Sequence, residues 1–83
     1  MPRYNPRRLK VVHNGWQLLR NGRLLSPTGM EYHPTSLLTI PQVAEIRGQT
    51  RRNIRERLRR GSLRGYKIGD HYWCLKVKDA LMR

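Results

Sequence analysis

Two hydrophobic rhythms divide this chain. Between residues 9 and 26, LKVVHNGWQLLRNGRLLS, short apolar bursts surround two Asn-Gly pairs, Asn14-Gly15 and Asn21-Gly22. Asn-Gly suits a two-residue type I′ hairpin turn, which needs positive φ at both central positions. Turns at both pairs predict three antiparallel strands near 9–13, 16–20 and 23–26. In that register Val11, Leu18 and Leu25 share a row, with Leu9, His13 and Trp16 on the same face, so turn chemistry and alternation agree. Such a face needs a covering layer, from the rest of the chain or from a second copy, and core packing is the reading for Trp16. Residues 26–36, SPTGMEYHPTS, are rich in turn formers and read as a linker loop. Residues 1–8, MPRYNPRR, carry two prolines and three arginines with little to bury, the pattern of a flexible basic arm.

From Leu37 the period lengthens. Thr39 and Gln42 stand at the two ends of a capping box, Pro41 falls in the first turn, and Leu38 and Val43 occupy the positions of a hydrophobic staple. A short helix is expected to run to about Arg47, burying Ile40, Val43 and Ala44, with Gly48 as its C′ residue. Thr50 then caps a second helix over 51–60, closed by Gly61. Two short helices joined by a tight glycine-containing turn make a helix-turn-helix. Downstream, Tyr66 and Ile68 alternate, Gly69-Asp70 reads as a two-residue turn, and Tyr72 to Leu75 returns as the second strand of a hairpin. Trp73 and Leu75 close the core, Lys67 and His71 lie near the hairpin tip, and Asp79, Ala80 and Leu81 begin a short terminal helix.

Charge gives the second helix its interest. The 83 residues carry a formal net charge of +13, from 18 Lys and Arg against 5 Asp and Glu. That imbalance is costly in self-repulsion and points to a polyanionic partner. Arginines 51, 52, 55, 57, 59, 60 and 64 crowd one stretch, offset only by Glu56. At about 100° per residue, Ile54 and Leu58 fall together towards the first helix. Arg52, Glu56 and Arg59 lie opposite them, flanked by Asn53, Arg55 and Arg60. A merely solvated face does not account for so much charge of one sign, because like charges at this spacing repel. A membrane-surface helix needs a broad apolar face, and Ile54 and Leu58 are already claimed by the core.

Other chemistry is excluded more simply. No hydrophobic run approaches membrane-spanning length, no signal-peptide pattern opens the chain, and Cys74 is the single cysteine, which fits a reducing cytosol. Cys74 with His13, His33 and His71 matches no zinc-site spacing. No nucleophile stands with a base at a meaningful spacing, so neither an enzyme nor a cofactor is expected.

Residues 37–83 resemble the winged helix-turn-helix domain shared by MerR-type regulators and phage or transposon excisionases. The likeness is carried jointly by LTIPQVAEIRGQTRRNI, the RRGSL turn, the GYKIG wing and the final KDAL, a little over half of the chain. Arg57 stands where the family often has an apolar residue, and the long coiled-coil helix of full MerR dimers is absent. The fold expected is therefore α+β: a winged helix-turn-helix behind an N-terminal antiparallel β-meander, divided as 1–8, 9–36 and 37–83. By position, the resemblance implies major-groove contacts from Arg51, Arg52, Asn53, Arg55, Glu56 and Arg59. It implies phosphate contacts at Thr50 and a wing tip of Lys67, Asp70 and His71.

On physical grounds Arg59, Arg60 and Arg64 are better placed for phosphates, and Arg3, Arg7 and Arg8 for a minor groove, as in other basic arms. Arg52 or Arg55 suits a bidentate guanine contact. Glu56 suits either cytosine N4 or an ion pair that holds Arg52, four residues away. The function expected is sequence-specific binding of double-stranded DNA, as an excisionase-like architectural factor or a small transcriptional regulator of mobile-element type. Its setting would be the nucleoid of a bacterial or phage-infected cell. Further partners would be copies of itself, an integrase or an RNA polymerase component, with the meander as the docking surface. Two other classes compete: a basic module that docks on an acidic host protein, and an RNA binder that stacks bases on Tyr4, Tyr66, Tyr72, Trp16 or Trp73.

Overall fold

In the computed structural model, which describes residues 11–69 and 72–82, the chain runs β1 (Gln17–Leu18), β2 (Leu24–Leu25), β3 (Glu31–Tyr32), β4 (Leu37–Thr39), α1 (Ile40–Arg47), α2 (Arg51–Arg60), β5 (Tyr66–Ile68), β6 (Tyr72–Lys76) and α3 (Val77–Ala80). The class is α+β. Two three-stranded antiparallel sheets, ordered β1-β2-β3 and β4-β6-β5, accompany the three helices.

The amino-terminal sheet forms one strand later than the turn signals predict. Asn14 and Gly15 do take positive φ, 58° and 82°, and Trp16 N–H donates to His13 O at 3.2 Å. Yet residues 11–13 are not a strand, and Val11 is exposed. Their backbone is engaged elsewhere: His13 N–H donates to Ile46 O at 2.9 Å and Asn14 Nδ2 to Glu45 O at 2.7 Å. The first Asn-Gly turn thus donates to carbonyls of the last turn of α1, where no further helical N–H follows. Leu9, also expected in that strand, lies outside the described residues.

At the second pair only Gly22 has positive φ, at 85°. Leu19 N–H donates to Arg23 O at 2.8 Å and Gly22 N–H to Leu19 O at 3.0 Å, which makes a three-residue loop with a left-handed last residue. The register moves by one. Leu18 pairs with Leu24 and Leu24 with Tyr32, replacing the expected row of Val11, Leu18 and Leu25. The next hairpin repeats this geometry, with Ser26 N–H donating to Met30 O at 2.8 Å and Gly29 N–H to Ser26 O at 3.0 Å. So the segment expected as a linker loop contributes β3, and its tight Pro27-Thr28-Gly29 turn is what lets it return.

Leu24 and Trp16 are buried in the same core as Leu38, Val43, Ile46, Ile54, Leu58 and Leu75, with Leu18 and Tyr32 packed against it. Trp16 and Tyr32 meet at 5.8 Å between ring centroids. The small sheet spends its inner face on the rest of the chain.

α1 begins at the expected cap: Gln42 Oε1 accepts from Thr39 N–H at 3.0 Å and from the Thr39 hydroxyl at 3.2 Å. It ends in a Schellman turn, with Gln49 N–H donating to Ala44 O at 3.0 Å and Gly48 N–H to Glu45 O at 3.2 Å. Gly48 sits at φ 63°, and a Cβ there would stand 2.9 Å from His13 Cγ, so conformation and space both require glycine. The strand β4, not expected ahead of α1, pairs Leu38 with Leu75 and makes the carboxy-terminal hairpin three-stranded.

In that hairpin Ile68 pairs with Tyr72, so three residues separate the strands rather than the expected Gly69-Asp70 pair. Leu75 is fully buried and Trp73 partly so, as expected. Val77 N–H and Lys78 N–H donate to Ser36 O at 2.9 Å and Pro34 O at 3.0 Å, tying α3 to the chain ahead of β4.

Candidate nucleic-acid interface

α2 owes its position to two apolar side chains and two caps. Ile54 and Leu58 are its buried residues, one turn apart and directed into the core. Thr50 Oγ1 accepts from Asn53 N–H at 3.1 Å. At the other end Ser62 N–H donates to Arg57 O at 2.9 Å and Gly61 N–H to Leu58 O at 3.2 Å, a second Schellman turn. With α1 likewise capped, the turn between the helices is short, and the Gly48 and Gln49 N–H groups both donate back to α1.

What remains outward is the charge. Arg51, Arg52, Asn53, Arg55, Arg59 and Arg60 are all exposed, Glu56 and Arg57 half-buried. Arg51, Arg55 and Arg59 recur every fourth residue along one flank. On the other flank Thr50, Arg52, Asn53, Glu56, Arg57, Arg60 and Ser62 line a hollow of about 360 Å³. Arg57 and Ser62 were not among the expected site residues. By helical period Arg57 lies about 60° from Ile54, at the border of the apolar face, which agrees with its half-buried position.

Glu56 departs from expectation. It faces forward along the helix, to Arg59 Nη1 at 3.4 Å and Arg60 Nε at 3.8 Å, instead of back to Arg52. An acid amino-terminal to its base is the better orientation at this spacing. Both arginine side chains are 78% exposed, so these pairs add little stability and yield readily to a stronger anion. Arg52 and Arg55 have no carboxylate partner among the described residues.

Arg64 is exposed just beyond α2, and Lys67 is exposed on β5. Gly65 between them lets β5 approach the helix: a Cβ there would stand 2.6 Å from Leu58 Cδ2 and 3.3 Å from Trp73 Cε3. The same close approach therefore positions the hairpin beside α2. Asp70 and His71, expected at the hairpin tip, and Arg3, Arg7 and Arg8 of the expected arm lie outside the described residues.

One arginine differs from the rest. Arg47, at the end of α1, is buried, and its Nη1 donates to Ala80 O at 2.8 Å and to Met82 O, while its Nε donates to Gln49 Oε1 at 3.3 Å. Burial lowers its pKa to about 10, and the charge of Arg57 acts in the same direction. That value leaves Arg47 cationic at neutral pH. Sequence patterning gave no sign of this role, because an arginine in the last turn of a helix is ordinarily solvated. The two carbonyls that hold its Nη1 are more than thirty positions away.

Among the described residues no helix is long and apolar enough to cross a membrane. Compared with known protein families, curated proteins and solved structures, the chain gives no match.

Proposed function

We propose that this chain is a sequence-specific double-stranded DNA-binding protein of winged helix-turn-helix type, an excisionase-like architectural factor or small regulator of a mobile element. α2 enters the major groove and the β5–β6 hairpin meets the adjacent groove or backbone. The protein acts by binding, and chemistry on the DNA belongs to a partner such as an integrase or to the transcription machinery. Its place of action on this reading is the bacterial nucleoid.

The observation that supports this best is the division of α2. Its two apolar residues are buried, while six polar or basic positions stand in solvent on a helix capped at both ends. A rigid rod about 15 Å long, at 1.5 Å per residue, fits the major groove in width and reach. Arg52 and Arg55 are the guanine readers, being exposed and without carboxylate partners among the described residues. Thr50, Arg57, Arg60 and Arg64 serve phosphates, and Arg59 extends the reading face. With one such helix per chain, a useful site takes two or more copies, in half-sites roughly 34 Å apart if they dimerise.

A salt series tests the division of labour. Affinity for duplex DNA is expected to fall steeply as salt rises, in proportion to the phosphates neutralised. Arg60→Ala is expected to weaken all duplexes about equally and to reduce the slope of log K against log[salt] by about 1. Arg55→Ala is expected to lower the preference among sequences instead. If both variants lost affinity in parallel on every duplex, the assignment of Arg55 to a base edge would be wrong.

A further inference from the structure

The aromatic residues singled out in the sequence fall into two groups in the fold. Trp16 is buried, Trp73 is partly buried against the core, and Tyr4 lies outside the described residues. Tyr66 and Tyr72 remain, 42% and 75% exposed. The sheet register places them together. Side chains of directly paired residues share a face, so the pairs Tyr66–Cys74, Ile68–Tyr72, Thr39–Cys74 and Leu37–Lys76 all lie on the surface opposite buried Leu38 and Leu75. Ile68 and Leu37 are more than half exposed there.

The charge of this surface is also one-sided. It carries no acid among its described residues, and Lys76 holds its ammonium 5.4 Å from the centre of the Tyr66 ring. A second copy of the chain is a poor occupant, because two molecules each of net charge +13 would meet over the same lysine. An occupant that brings flat apolar rings and negative charge together satisfies every feature of the surface.

We propose that this outer sheet face binds unpaired bases of a DNA strand, stacking them on Tyr66 and Tyr72 while Lys76 meets the intervening phosphate. Tyr66 and Tyr72 are diagonal neighbours, a pair that lies roughly 7–8 Å apart, with the Cβ atoms somewhat closer. That is about twice the ~3.4 Å rise per nucleotide of one strand, so two rings can engage one short run of bases. Stacking of this kind is sequence-tolerant, since every base has a π-face. The choice of DNA over RNA rests on the duplex reading of α2, which would bring an opened or frayed strand beside the hairpin. The stacking itself does not rest on that reading.

The test uses the full chain and fluorescence anisotropy with labelled oligonucleotides: a single-stranded DNA, an abasic strand of equal length and charge, an RNA of the same sequence, and a duplex. The base-bearing DNA strand is expected to bind about tenfold or more tightly than the abasic one, the scale of one to two stacked bases. Tyr66→Ala/Tyr72→Ala is expected to erase that difference, and Tyr66→Phe/Tyr72→Phe to preserve it. Circular dichroism melting of each variant confirms that it is folded. Equal binding of abasic and base-bearing strands by the wild type would overturn the proposal. So would a preference that survives the alanine pair but is lost in Arg52→Ala/Arg55→Ala, or RNA bound more tightly than DNA. Self-association that protects Tyr72 would equally assign the face to a second copy. Failure of duplex binding alone would contradict the reading of α2 and leave the stacking result standing.

Discussion

Replacing Arg52, Arg55 and Arg59 together with glutamine is expected to lower affinity for a cognate duplex by at least about a hundredfold, since each good bidentate pair to a base contributes roughly 1–3 kcal/mol. The same variant is expected to melt no earlier than the wild type. None of the three side chains is buried, and among the described residues only Arg59 has a carboxylate partner, a 3.4 Å contact to Glu56. Glutamine is nearly as good a helix former as arginine. Removing like charges three and four residues apart relieves repulsion of a few tenths of a kcal/mol per pair. Loss of binding with unchanged or raised stability is the signature of a surface kept charged for a partner. A solvated face with no partner predicts no binding to lose, so titration of both proteins on duplex DNA, with thermal melts alongside, separates the two.

Ile54→Ala is expected to have the opposite profile. Ile54 is fully buried, and with Leu58 it makes up the whole apolar contribution of α2 to the core. Deleting its side chain leaves a cavity between the helices and should cost about 2–4 kcal/mol. For a chain this small that is a large share of the total, and the melting temperature should fall by roughly 10–20 °C. α1 and the hairpin depend on the same core, so unfolding should remain a single transition. Saturating DNA should recover part of the loss, because a ligand that binds only the folded state stabilises it by mass action. Urea denaturation with and without duplex measures both effects. A variant that melts like the wild type would mean that α2 is held by something other than its two apolar anchors.

The helices were legible because their signals are local. Thr39 with Gln42, Thr50, Gly48 and Gly61 each act within four or five residues, and both helices begin and end where those residues place them. The sheets were less legible, for one recurring reason. The loop after Leu19 was expected with two residues and has three, and the hairpin of β5 and β6 likewise places three residues between its strands. Asn-Gly chemistry allows either a two-residue turn or a type I turn with a left-handed glycine, and the sequence does not distinguish them. One extra residue exchanges the faces of a strand, which is why Leu24 rather than Leu25 is the buried residue of β2.

Long-range partners were not legible at all. Nothing near Asn14 indicates Glu45, and nothing near Arg47 indicates the carbonyls of Ala80 and Met82. At the interface, the exposed side of α2 followed from its helical period. The direction of Glu56 and the participation of Arg57 in the hollow depend on rotamers and on Ser62, which the period does not carry.

The central claim, that α2 reads sequence, is tested most directly by selection from a pool of genomic or random duplex fragments at near-physiological salt. Wild-type protein is expected to recover a motif containing guanines at fixed positions. Arg52→Ala/Arg55→Ala, shown by melting to be folded, is expected to recover no guanine preference at those positions. Recovery of no motif by the wild-type protein, with binding that declines uniformly for all fragments as salt rises, would contradict it.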